Sequence, residues 1–209
     1  LVVGPSWVGD MVMAQSLFMT LKAHHPEAYI GVLAPGWSLP ILARMPEVDE
    51  SIALDVKHGE FGWATRRAVA GKLKGRFDRA IVLPRSWKSA LVPFLARIPE
   101  RVGFHGEQRY WLLNARRQLD KRVLDQTVKR FVSLGLPEEQ ALTGDFAIPA
   151  PRLDVNGDEQ QRLRQHQRPD GQEELVRLMS GGDRQIEDAP RGSPDDSEHH
   201  DLDHRDSLL

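Results

Sequence analysis

No cysteine occurs among the 209 residues. Disulfide bridges, a thiolate nucleophile and cysteine-ligated zinc are therefore excluded, and the composition suits a reducing compartment. No window approaches the roughly 18–20 consecutive apolar residues of a membrane-spanning helix. No basic region followed by an apolar stretch and a small-residue cleavage site opens the chain, so a signal peptide is not expected. The sequence starts Leu1-Val2-Val3, an apolar run that reads as a strand already under way, with a few residues expected to precede it. A cytosolic location is the expectation, with contact at a membrane surface left open.

Aromatic residues and lysine run out part-way along the chain. All 14 aromatics (5 Trp, 2 Tyr, 7 Phe) lie at or before Phe146, and the last lysine is Lys129. The net charge of −2 divides unevenly. Residues 1–150 hold 20 Lys+Arg against 15 Asp+Glu, a net of +5, and residues 151–209 hold 8 against 15, a net of −7. A segment poor in apolar residues and rich in charge cannot bury enough surface to offset chain entropy. The expected division is a folded domain over 1–150, a linker and remnant of a second domain over 151–182, and an acidic tail without a fold over 183–209.

Within the first 150 residues, short apolar runs alternate with helical spacing. Strands are expected at 1–4, 29–34, 51–54, 78–83 and 101–104. Helices are expected from Asp10 to about 25, at 37–45, 61–73 and 86–96 (interrupted or tilted by Pro93), and at 120–134. Such alternation predicts an α/β domain, a parallel sheet with helices on both faces. Ligands then sit beyond the carboxyl ends of the strands, at loops 4–10, 34–38 and 84–89.

The first loop, Gly4-Pro5-Ser6-Trp7-Val8-Gly9-Asp10-Met11, joins a strand to a helix, where phosphate-binding loops are found. Asp10 and Met11 stand where a P-loop needs Lys and Ser/Thr, and Trp7 and Val8 break a dinucleotide fingerprint. The loop presents a carboxylate instead. Asp10 has two readings: a helix cap or first-turn residue, or a general base fixed at a helix N-terminus, where the dipole favours an anion. Trp7 and Trp87 likewise have two, stacking on sugar rings or packing at the edge of the core. The basic run Arg66, Arg67, Lys72, Lys74 and Arg76 reads mostly as a solvated helix face.

The opening loop, Gln15-Ser16-Leu17 after it, Ala34-Pro35-Gly36-Trp37, Arg44-Met45-Pro46-Glu47-Val48 and Phe77-Asp78-Arg79-Ala80-Ile81-Val82-Leu83-Pro84 occur in one order. Ser86-Trp87-Lys88-Ser89, Ile98-Pro99, Arg109-Tyr110, Leu112-Leu113-Asn114 and Leu119-Asp120-Lys121 continue it. Together they resemble the ADP-heptose:lipopolysaccharide heptosyltransferase II family over residues 1 to about 164. The resemblance implies the N-terminal Rossmann-like domain of a GT-B, inverting glycosyltransferase. That domain would receive a lipopolysaccharide inner-core acceptor, with most of the ADP-heptose donor site in a second domain that is missing or disrupted here. It implies Asp10 as catalytic base, no metal in the chemical step and no bound cofactor. With it, Ser6, Trp7, Ser86, Lys88 and Ser89 become candidate acceptor-binding residues. A lysine is a natural partner for the carboxylates and phosphates of such a glycan.

The expected function is heptose transfer from ADP-L-glycero-D-manno-heptose to the heptosyl-Kdo2-lipid A inner core, with this chain an incomplete version inactive alone. It would act in the cytoplasm, with peripheral contact at the inner membrane left open and no nucleic-acid partner. The alternative is a non-catalytic carbohydrate- or lipid-binding module on the same domain. His199, His200, Asp201, Asp203 and His204 look like a metal cluster, but their composition also suits an unfolded end, which cannot hold ligands in place. No metal site is expected there.

Overall fold

The computed structural model describes residues 1–56 and 60–154. They form strands β1 (Val2–Val3), β2 (Gly31–Ala34), β3 (Glu50–Ala53), β4 (Arg79–Val82), β5 (Glu100–Phe104) and β6 (Ala115–Arg117), and helices α1 (Val8–His24), α2 (Leu39–Leu42), α3 (Trp63–Leu73), α4 (Leu91–Leu95), α5 (Thr127–Gly135) and α6 (Glu138–Thr143). The six strands make one sheet in the order β3-β2-β1-β4-β5-β6, with every pairing parallel. The α/β Rossmann-like parallel sheet expected of a GT-B N-terminal domain is therefore present.

Successive side chains of a strand point to opposite faces, and each strand of the sheet's centre divides accordingly. Val2, Val32 and Ile81 face α1, α2 and α5, where Met11, Leu17, Phe18, Leu42, Phe131 and Leu134 complete one core. Val3, Leu33 and Val82 face α3 and α4, where Ala70, Leu73, Val92 and Ala96 complete the other. Full burial of each large aliphatic or phenyl side chain contributes about 1.5–3 kcal/mol. Helices thus cover both faces, as parallel strands with no solvent face require.

Two glycines permit the closest approaches. A Cβ on Gly31 would stand 2.6 Å from the Phe77 ring, and one on Gly135 would stand 2.5 Å from the Leu17 side chain where α5 crosses α1. The half-buried Arg117 guanidinium braces that same C-terminal end of α5, donating to the carbonyls of Ser133 and of Leu136 (2.6 Å). The Ser133 carbonyl also takes the Leu136 N–H at 3.4 Å, so the guanidinium completes the pairing of a helix C-terminus. Beyond α6 the chain returns along α1. Ser16 Oγ donates to the Pro149 carbonyl at 2.7 Å, and Asp154 N–H to the Arg44 carbonyl at 2.8 Å. The first compact unit runs Leu1–Asn156. The expectations for the rest of the linker, the tail and the His/Asp group near residue 200 lie outside the described residues.

Local differences from the sequence reading have physical causes. α1 starts at Val8, its cap is Trp7 in extended conformation, and no side chain caps it. Asp10 is therefore an interior residue of the first turn, not the cap. The expected helix 86–96 is two pieces, a 3-10 turn Trp87–Ala90 and then α4, which carries Pro93 inside it. β6 and α6 were not expected. No described helix is long and apolar enough to cross a membrane.

Candidate functional site

β1 pairs with β2 on one side and β4 on the other, so the chain winds outward in both directions from the β1/β4 boundary. At such a switch point the loops leaving the two strands diverge and open a crevice. Here it measures about 900 Å³ and is walled by the segments after β1, β2, β3 and β4. Ser6, Trp7, Ser86, Lys88 and Ser89 all line it, together with Trp37, Glu60 and Arg66. The structure thus brings the five expected acceptor-binding residues to one cavity. Asp10 is not among the residues lining it. Val8, the first residue of α1, lines the crevice, and Asp10 stands half-buried two residues further along that first turn.

The loop after β4 is held from beneath by two arginines. Arg109 is 2 % exposed. Its Nη1 donates to the Pro84 carbonyl at 2.5 Å and, at 3.4 Å, to the Ser86 carbonyl and Ser89 Oγ. Its Nε and Nη2 donate to the Phe104 carbonyl at 3.1 and 2.5 Å. Burial lowers the guanidinium to about 10, with nearby Arg85 pushing the same way and Glu107 opposing. Arg66, the exception in its basic run, is buried. It donates to the Phe61 carbonyl at 2.9 Å and the Lys88 carbonyl at 3.0 Å. Arg67, Lys72, Lys74 and Arg76 are exposed, as expected.

These anchors divide the labour among the loop residues. Ser89 Oγ donates inward to Ser86 (2.6 Å) and Pro84 (3.1 Å) carbonyls. Its single hydrogen is committed, so toward a ligand it can only accept. Lys88 has its backbone carbonyl fixed by Arg66, and its half-buried side chain forms no ion pair among the described residues. An ammonium in a concave, partly desolvated site is suited to an anionic group. Trp87 stacks on Phe61, centroids 5.3 Å apart, and Phe61 on Trp63 at 5.8 Å. Trp7 is 78 % exposed at the crevice mouth. Sequence reasoning missed Arg66 as a site residue and quoted Arg109 only as part of a motif.

A family model described as glycosyltransferase family 9 (heptosyltransferase) matches residues 66–185, more than half of the chain. The chain belongs to glycosyltransferase family 9. Among curated family relatives, lipopolysaccharide heptosyltransferase 2 of Salmonella typhimurium is 54% identical over 154 residues, covering 73% of this chain and 44% of the relative. The Escherichia coli protein of the same name is 53% identical over the same length and shares. The solved E. coli ADP-heptose lps heptosyltransferase II aligns with TM-score 0.64 and 45% identity, over 77% of this chain and 48% of that one. A family 9 structure from Veillonella parvula shares the fold at TM-score 0.65 and 16% identity. The resemblance carried by the dispersed motifs is borne out. This family 9 chain spans about half the length of the relatives it matches.

Proposed function

We propose that this chain is the acceptor-binding half of an inverting heptosyltransferase that extends the inner core of lipopolysaccharide. The observation that carries the reading is the convergence of Ser6, Trp7, Ser86, Lys88 and Ser89 on one crevice at the β1/β4 switch point. In this reading the donor is ADP-L-glycero-D-manno-heptose and the acceptor is heptosyl-Kdo2-lipid A. Lys88 receives an acidic group of the acceptor, Ser6 and Ser86 offer hydroxyls to its sugar hydroxyls, and Trp7 offers a ring face. Asp10 takes the proton from the attacking acceptor hydroxyl. The oxygen bonds to the anomeric carbon as the bond to the departing ADP breaks, and the anomeric centre inverts. The sequence carries no lysine after Lys129 to meet donor phosphate, so the 209-residue chain alone is expected to bind acceptor without turnover. A lipid-linked acceptor would place the work at the cytoplasmic face of the inner membrane.

The test is a chimera in which residues 1–154 replace the matched half of the Salmonella relative. It should transfer heptose, and Asp10→Ala should lower kcat by roughly 10²–10⁴ with acceptor affinity retained. A chimera that works equally well with Asp10→Ala removes Asp10 from the chemistry. The second reading, a non-catalytic saccharide-binding module, is favoured by one observation: Asp10 does not itself line the crevice. It predicts acceptor binding by a chimera that has no transferase activity.

A further inference from the structure

The 3-10 turn after β4 faces two ways. Ser86, Lys88 and Ser89 line the crevice, whereas Trp87 lines a second cavity, an alcove of about 660 Å³ shared with Leu91, Glu107, Gln108, Trp111 and Leu112. We infer that this alcove is a subsite for one neutral saccharide ring, next to the crevice and distinct from it. The inference rests on the glycan-acceptor reading above and extends it to a second sugar of the same ligand.

Three observations support it. Trp111 is 86 % exposed, and Trp87, stacked on Phe61, is still 39 % exposed, so Trp111 and the remaining surface of Trp87 offer apolar area that the core does not use. Flat aromatic faces suit the C–H face of a pyranose, and a few polar groups then fix its orientation. The single charged residue lining the alcove is Glu107. Its Oε2 accepts the Trp87 backbone N–H at 3.2 Å, which leaves the other oxygen for a ligand hydroxyl. The Arg109 guanidinium feels this charge but does not line the alcove, so a ligand there meets the carboxylate, which disfavours phosphate and acidic sugars and against an alkyl chain would lose water with nothing in return. A neutral polyol satisfies both it and the Gln108 amide. Finally, Gln108 has φ 29, a region side-chain-bearing residues rarely occupy, and it adjoins the deeply anchored Arg109. Strain held in place beside an open cavity is characteristic of binding sites. Because Ser86, Trp87 and Lys88 are consecutive, one glycan can present an acidic unit to Lys88 and a neutral unit to the indoles.

The experiment titrates the full 209-residue chain with methyl α-D-mannopyranoside, read by saturation-transfer NMR and tryptophan fluorescence. Saturable binding in the millimolar range is expected, weakened at least about tenfold by Trp111→Ala and partly restored by Trp111→Phe. Trp111 is almost wholly exposed, so its removal leaves the core intact, which an unchanged melting temperature verifies. Glu107→Gln should weaken the neutral probe and narrow its advantage over mannose 6-phosphate. No saturation up to roughly 100 mM, insensitivity to Trp111→Ala, or tighter binding of octanoate at the same residues would each overturn the inference. The probe needs no donor and no turnover. An inactive chimera with a responsive alcove would sink only the transferase reading, and an active chimera with a silent alcove only this one.

Discussion

Gln15 on α1 clasps the backbone N–H and carbonyl of Arg152 together. Its Oε1 accepts the Arg152 N–H at 2.8 Å, and its Nε2 donates to the Arg152 carbonyl as well as to Glu47 Oε2 at 3.0 Å. Gln15 is fully buried. Its two bonds to Arg152 do for the returning strap what a strand partner would do, in a place where no described strand runs.

Replacing Gln15 with Ala removes the side-chain partner of both the N–H and the carbonyl of Arg152. Arg152 is itself exposed, so water takes over part of the pairing and each lost hydrogen bond costs about 0.5–1.5 kcal/mol. Gln15→Ala should therefore lower the denaturation midpoint and expose the 145–154 strap to protease cleavage. Gln15→Glu should be no better, because it loses the donor and sets a second carboxylate beside Glu47. A strap equally resistant in both variants contradicts this account.

Arg109 makes a second prediction. Its hydrogen bonds converge on carbonyls of Pro84, Ser86 and Phe104 and on Ser89 Oγ, with no carboxylate among them. Lysine cannot reproduce a planar fork that reaches the ends of two strands at once. Both Arg109→Ala and Arg109→Lys should destabilise the domain, the alanine by about 3 kcal/mol. Because the loop carries Lys88, both should also weaken acceptor binding, measured at a temperature where the variants remain folded.

The alternation of strands and helices was legible because each central strand is an apolar block, and the sheet order then placed three loops together. What the sequence did not disclose has particular causes. β6 is Ala115-Arg116-Arg117 and carries little apolar pattern. Backbone pairing with β5 and the grip of Arg117 on α5 define it. α6 had a start signal in Pro137-Glu138-Glu139, but six residues are too few for periodicity to show. Arg66 and Arg109 look like any surface arginine, since their partners are carbonyls, which every residue has. Asp10 looked like a cap because Asp favours that position, yet Trp7 takes it without any side-chain bond.

Asp49 gives a pH prediction. Partial burial alone would raise its carboxyl, but the Ile30 N–H at 2.7 Å and the Lys22 ammonium at 2.8 Å outweigh that and hold it below its usual 3.8. A folded-state value below the unfolded one adds stability that is present above 3.8 and lost as pH falls through the folded value. Asp49→Asn should thus be destabilised relative to the parent by a constant margin above about pH 5, and the margin should close as pH drops below the usual carboxylate range. A margin unchanged down to the acid limit of folding would assign the effect to packing.

Lys88 supplies the last prediction, and it separates positioning from contact. Arg66 and Arg109 hold the backbone around Lys88, so truncating the side chain leaves the loop pinned and removes only the charge. Lys88→Ala should therefore leave the melting temperature unchanged while weakening an acidic glycan acceptor about tenfold, or ~1.4 kcal/mol. The loss should shrink as salt is raised from low to near-molar, where the screening length falls to about 3 Å. Lys88→Arg should recover much of the affinity, because a guanidinium also pairs with carboxylate or phosphate. A neutral sugar probe should not register either change. If acidic and neutral ligands weaken together in Lys88→Ala, the side chain shapes the crevice and does not meet an anion there.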